Sequence, residues 1–142
     1  MKRIFIYSIY IFIILLSSCS DSLTHSNIPD VSFRFAVNLQ EDTFLNAPGN
    51  YRIFNGVGYK GVIVYNLDGN TFYAYDMACP HKDGNHKLST SSTKGSEPVI
   101  TCEKCGSIFN LIDAGAPVKA PAVYPLRSYN CVRSNMLLHI SN

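Results

Sequence analysis

The chain opens with a run of apolar residues from Ile4 to Leu16, preceded by Met1-Lys2-Arg3. It is too short to span a bilayer comfortably and has the form of a secretory h-region. Ser20 to Asp30 is polar, lacks periodicity and contains Pro29, which predicts a tether rather than a folded element. The pattern then changes. Val31, Phe33, Phe35, Val37 and Leu39 alternate with Ser32, Arg34, Ala36 and Asn38, the period of a strand with one buried face. Gly61 to Tyr65 and Thr71 to Tyr75, joined by Asn66-Leu67-Asp68-Gly69-Asn70, read as a β-hairpin. Further short strands are expected at Pro98 to Cys102, Ser107 to Leu111, Tyr124 to Tyr129 and Met136 to Ile140, with a polar surface loop from Lys82 to Glu97. No segment after the h-region carries a sustained helical stripe. Many short strands at close spacing predict an all-β antiparallel sandwich or barrel.

Leu16-Ser17-Ser18-Cys19 has the form of a lipobox, whose small residues admit the lipoprotein signal peptidase before a lipid-modified cysteine. The expected organisation is a signal peptide over 1–18, a lipidated tether over 19–30 and one folded domain over 31–142. Loss of Lys2 and Arg3 leaves ten basic residues against ten acidic ones. A neutral chain without a Lys/Arg run has no means of attracting polyanions, so nucleic acid is excluded as a partner and the lipid on Cys19 is the expected membrane contact. The expected location is a bacterial membrane, periplasmic side or outer membrane. Ser20 is not the aspartate that commonly retains lipoproteins in the inner membrane.

The chemistry sits in Cys79-Pro80-His81 and, after a twenty-residue gap, Cys102-Glu103-Lys104-Cys105-Gly106. Each pair stands where a strand ends, so two side chains at short spacing can point at one metal. Spacing alone leaves disulfides open, and also a structural zinc site on the same three cysteines and His81. An attached haem needs His after Cys-x-x-Cys, where this chain has Gly106, and a thioredoxin-like dithiol needs a βαβ context. His25, His86 and His139 read as solvated or packed, with His86 the one substitute ligand, and Cys131 as a small buried residue with disulfide pairing open.

With its context the motif resembles the Rieske [2Fe-2S] family, whose boxes are Cys-x-His and Cys-x-x-His-Gly-Ser followed by an aromatic. Here these are Cys79-Pro80-His81 and Cys102-Glu103-Lys104-Cys105-Gly106-Ser107-Ile108-Phe109, with Tyr73-Ala74-Tyr75-Asp76 ahead and Lys119-Ala120-Pro121-Ala122 and Pro125-Leu126 behind. The resemblance implies a Rieske-like sandwich or barrel with two cluster-binding loops and a [2Fe-2S] cluster on Cys79, His81, Cys102 and Cys105. It also implies electron transfer with a redox protein partner, without catalysis by this chain alone. Cys79 and Cys102 would hold the inner iron, and His81 and Cys105 the outer one. Cys105 stands where the family has its second histidine, and a thiolate for a neutral imidazole adds a negative charge that lowers the potential. Ser107 matches the family's hydrogen-bond donor to a bridging sulfide, and Pro121 its covering proline segment. Phe109 lacks the hydroxyl of the tyrosine found in high-potential members. The cysteine pair that braces the loops in respiratory members is also missing, which implies weak bracing. Lys2-Arg3 is no twin-arginine pair, so the cluster would be acquired after export. The alternative is a structural or binding module of the same fold, free of cluster or stabilised by zinc or a disulfide.

Overall fold

The computed structural model describes residues 27–90 and 98–142. The expected signal peptide, Cys19, His25 and most of the expected tether lie outside them. The described chain is nearly all β: β1 (Arg34–Asn38), a single helical turn α1 (Thr43–Asn46), β2 (Tyr51–Phe54), β3 (Val62–Asn66), β4 (Phe72–Asp76), β5 (Val99–Thr101), β6 (Ile108–Asn110), β7 (Pro117–Lys119), β8 (Ser128–Ser134) and β9 (Leu137–Ser141). Six strands form a sheet in the order β1-β9-β8-β4-β3-β2, and β5-β6-β7 form a second sheet. All the strand pairings are antiparallel. The large sheet curls into a half-barrel, bringing its two edges close enough for Phe35 of β1 to meet Phe54 of β2 with ring centroids 5.0 Å apart.

β1 follows its alternation, with Val37 and Leu39 buried and Arg34 and Ala36 exposed. The hairpin β3–β4 pairs Val64 with Ala74 across a turn in which Asp68 Oδ1 accepts from the amides of Asn70 at 2.9 Å and Thr71 at 2.6 Å. All of β3 is buried, because the hairpin is a wall between two cores. Val62 and Val64 face Leu39, Leu45, Leu138 and Ile140 inside the half-barrel. Ile63 and Tyr65 face the opposite way, with Tyr75, Ile100, Phe109 and Leu111 beneath the small sheet. Each buried aliphatic side chain here contributes about 1.5–3 kcal/mol of transfer free energy. A single strand register therefore fixes both halves of the molecule.

Several elements differ from expectation. β8 begins at Ser128 and runs to Ser134, so Tyr124 to Arg127 is not strand. Pro125 has no amide to donate to a ladder, and the amide of Leu126 is used by Gly115 O at 2.9 Å. The inward positions of β8 are Tyr129, Cys131 and Arg133, a weak hydrophobic signal. β2, β7 and α1 are too short to show a period. The loop expected from Lys82 to Glu97 is partly tied down: Ala78 bridges Lys87, Ser89 bridges Thr101, and Leu88 is buried. Residues 91–97 of it lie outside the described chain.

Residues 27–30, expected as the end of a free tether, are docked. Ile28 is buried against Gly84, Asn27 Nδ2 donates to Lys82 O at 2.6 Å, and Asp30 pairs with Arg127 at 2.7 Å. Among the described residues no helix is long and apolar enough to cross a membrane.

One buried carboxylate ties the segments together. Asp76, at the end of β4, is fully buried and accepts from Tyr59 N at 2.7 Å, Lys60 N at 3.2 Å, Ala78 N at 2.8 Å and Tyr129 OH at 2.7 Å. Gly58 makes this approach possible: at φ +67° its missing Cβ would stand 2.7 Å from Asp76 Oδ2. Replacing the carboxylate orphans four donors, so Asp76→Ala is expected to cost about 3–5 kcal/mol. Tyr129→Phe removes one bond and is expected to cost about 1 kcal/mol. Urea unfolding of the two variants checks the order and the sizes.

Candidate metal centre

Two loops at one end of the small sheet carry the site. The first leaves β4 after Asp76, passes Cys79 and returns at His86, whose carbonyl accepts from Cys79 N at 2.8 Å. The second is the turn between β5 and β6, closed by Cys102 N to Ser107 O at 2.9 Å and Gly106 N to Cys102 O at 2.7 Å. Cys102 thus leaves the end of β5, Cys105 occupies the turn, and Ser107 enters β6.

The fold brings Cys79, Cys102 and Cys105 together, with sulfurs all within 4.8 Å of one another. Cys79 Sγ and Cys105 Sγ are 3.6 Å apart. Cys79 and Cys102 are fully buried, Cys105 is half-buried, and the four described cysteines, Cys131 included, are free thiols. His81 is not part of this compact group. It lies half-buried two residues beyond Cys79, and its Nδ1 is buried with no hydrogen-bond partner. His86 is placed similarly, with Nδ1 buried and unpartnered, and is likewise outside the thiol group. His139 is exposed on β9.

Burying thiols in apolar surroundings disfavours their ionised form. Burial pushes the Cys79 thiol well above its ordinary value; the His81 amide works against this, and the thiols of Cys102 and Cys105 add to it. Cys105 departs the other way: burial raises it, but the neighbouring hydroxyl and amide of Ser107, with help from Cys102 and Cys79, favour its ionised form and bring it below the ordinary range. Cys131, on β8 and in the other core, is pushed up to about 12 by burial.

Ser107 is fully buried. Its Oγ lies 3.1 Å from Cys105 Sγ and accepts from Ala122 N at 2.9 Å. Pro121, after a cis Ala120–Pro121 bond, is exposed, and Ala122 beside it is buried. Phe109 is fully buried in the core shared with Cys79 and Cys102. Local pattern does not reveal the bond from the Ala122 amide to Ser107, the gathering of donors at Asp76, or the bond from Tyr75 OH to Leu111 O at 3.0 Å, because each joins residues distant in sequence.

The first loop is held by contacts distant in sequence. Ile28 packs at Gly84, whose φ of +68° lets the backbone turn against it, while Lys60 Nζ donates to Asn85 Oδ1 at 3.2 Å and Lys87 Nζ to Asn55 Oδ1 at 2.8 Å.

Three soft sulfur donors in one pocket, two of them buried, suit a thiophilic metal centre, since a bound cation removes the cost of ionising thiols there. An imidazole with a buried and unpartnered nitrogen on the same loop adds the donor that a mixed sulfur and nitrogen set requires. The residues therefore fit an iron–sulfur group.

Comparison with known proteins agrees. The family profile described as "Rieske [2Fe-2S] domain" matches residues 38–130. No curated protein matches in sequence. Among solved structures, a chain of the complex of reduced oxygenase and oxidized ferredoxin in carbazole 1,9a-dioxygenase is similar at 24% identity and TM-score 0.51, over 76% of this chain and 92% of that one. The ferredoxin of carbazole 1,9a-dioxygenase from Nocardioides aromaticivorans matches at 24% identity and TM-score 0.48, over 78% and 97%. A quaternary ammonium Rieske monooxygenase in complex with L-carnitine matches at 18% identity and TM-score 0.54, over 78% of this chain and 32% of that longer one. At these identities the likeness is one of fold, and the fold is that of Rieske proteins.

In reduced, metal-free protein near neutral pH, Cys105 is expected to be alkylated first, because it is the most exposed of the three site thiols and the one held below its ordinary value. Cys79 and Cys102 should react only on unfolding. Timed iodoacetamide labelling with peptide mass mapping reads the order.

Proposed function

Because the chain belongs to the Rieske [2Fe-2S] domain family, we propose that it is an electron-transfer lipoprotein, held outside the cytoplasm by a lipid on Cys19 and passing electrons to or from a redox protein. Its cofactor is a [2Fe-2S] cluster. The observation that carries the reading is the convergence of Cys79, Cys102 and Cys105 from two loops into one pocket. His81 is assigned as the fourth ligand on its place in the Cys-x-His box, since His86 shares its buried, unpartnered Nδ1.

When bound, the cluster supplies one-electron exchange without bond-making to a substrate. The chain's own residues insulate, orient and tune it. Cys79 and Cys102 lie in the apolar core and hold the inner side away from water. Cys105 and His81, both half-buried, form the outward edge through which a partner would exchange the electron. A ferredoxin crystallised with an oxygenase is the kind of assembly such an edge would serve. Three thiolates and one imidazole carry one more negative charge than two of each, so the potential should lie below that of members with two histidines. Phe109 offers no hydroxyl to offset this. Acting as a carrier, the chain would be a component of an oxidoreductase system.

A zinc site on the same residues is the second reading. It is favoured by the 3.6 Å between Cys79 and Cys105 sulfurs, close to the spacing of two thiolates on one tetrahedral ion with metal–sulfur bonds of about 2.3 Å.

Metal and acid-labile sulfide analysis of the full chain, purified without air, separates the readings. About two irons and two sulfides per chain, lost in Cys105→Ala, are expected. Zinc alone, or no metal, would overturn electron transfer. The lipid is tested separately: Cys19→Ser should move the protein from the membrane to the soluble fraction, and unchanged membrane retention would remove that part of the proposal.

A further inference from the structure

Charge that balances over the whole chain does not balance over the folded surface. The five described lysines, Lys60, Lys82, Lys87, Lys104 and Lys119, all belong to the end of the molecule that carries the thiols. Lys82 and Lys87 lie on the first loop, and Lys104 stands in the turn between Cys102 and Cys105. Lys119 of β7 is paired in register with Ile108, the residue after Ser107, and Lys60 reaches the first loop through Asn85 at 3.2 Å. The four described arginines lie elsewhere: Arg34, Arg52 and Arg133 on the large sheet and Arg127 just before β8. Lys82, Lys87, Lys104 and Lys119 are exposed. The exposed carboxylates on the same loops are Asp83 and Glu103, while Asp30 nearby is paired with Arg127. Residues 91–97, outside the described chain, carry one charge of each sign.

The chain also enters the domain at this end. Asn27 bonds Lys82 O at 2.6 Å and Ile28 is buried against Gly84, so the first described residues are pinned beside His81. From Cys19 to Asn27 is eight residues, which even fully extended span no more than about 29 Å. A domain of this length is roughly 34 Å across. A lipid on Cys19 therefore cannot hold the domain with its opposite end on the membrane.

We propose that the lysine face of the site end rests on the anionic headgroups of the membrane that holds the lipid, as a second contact beside the acyl chains. This rests on the lipid at Cys19. Two independent features select the same face: where the chain enters the domain, and where the lysines gather. Cationic side chains are drawn to an anionic surface within about a Debye length, ~8 Å at physiological salt, and a short tether keeps them within that range. Lysine suits such a contact, because its flexible stem lets the charge seek headgroups that have no fixed positions. The edge formed by Cys105 and His81 is then held at headgroup level, and the redox protein that it meets is one carried by the same membrane.

The test seats the lipid-bearing full chain in vesicles of phosphatidylcholine, with or without phosphatidylglycerol, and reads contact by amine acetylation and peptide mass mapping. With phosphatidylglycerol present, acetylation of Lys82, Lys104 and Lys119 should slow by about threefold or more, and salt at about 0.5 M should abolish the slowing. Phenylglyoxal modification of Arg34, exposed on β1, should be equal in both vesicles. Lys82→Gln, Lys104→Gln and Lys119→Gln combined should remove the slowing at Lys60 and Lys87. Equal acetylation in both vesicles, or a slowing shared by Arg34, overturns the proposal and leaves the lipid standing. Protection in native membranes that phosphatidylglycerol vesicles do not reproduce assigns the lysines to an acidic protein and overturns it as well. An intact mass without acyl groups overturns the lipid reading and this inference together.

Discussion

The hydrogen-bonded carboxylate of Asp76 is the constraint on which the placement of the site depends. It lies at the end of β4, fully buried, and gathers donors from the segment 59–60, from β8 and from Ala78 at the start of the first loop. A charge at this depth is tolerable only when its acceptor capacity is filled, so these segments cannot shift independently without leaving it unpaired. Cys79 follows three residues later. Its position is therefore set by the same network that ties segment 59–60 and β8 to the end of β4, beside the hairpin wall between the two cores.

The thiol pocket has the opposite economy, because its polar groups are not satisfied by the protein alone. Burial holds the Cys79 thiol well above its ordinary value, and the imidazole nitrogen of His81 is left without a partner. A protein that keeps three sulfurs and an unbonded imidazole nitrogen at one end of a sheet has accepted a desolvation cost that a metal centre reverses. Around this pocket the first loop is held by Ile28 under Gly84 and by lysine–asparagine bonds, and Ser107 borders the thiol of Cys105.

Docking of residues 27–30 also gives the start of the described chain a place in the site's architecture. Arg127, one residue before β8, holds Ile28 O at 3.1 Å and the carboxylate of Asp30, while Asn142 at the other terminus donates to Asp30 and to Val31 O. The first described segment thus rests against the loop that carries Cys79 and His81.

The sequence by itself determined whatever depends on local period and on residue identity. The alternation from Val31 to Leu39 predicted β1, the turn residues between Tyr65 and Thr71 predicted the hairpin, and the two cysteine boxes with Ser107 and Phe109 identified the family, because backbone pleat and ligand chemistry both leave a short-range signature. What only the tertiary structure decided is long-range. That β3 has no exposed face follows from sheets packed on both sides. That β8 starts at Ser128 follows from partners for the Leu126 amide and the Arg127 carbonyl, and that Ser107 meets Cys105 and Ala122 follows from the closure of β6 against a segment fifteen residues away. Backbone donors carry no residue label, so a site completed by the amide of Ala122 and positioned through Asp76 becomes visible only once the chain has folded.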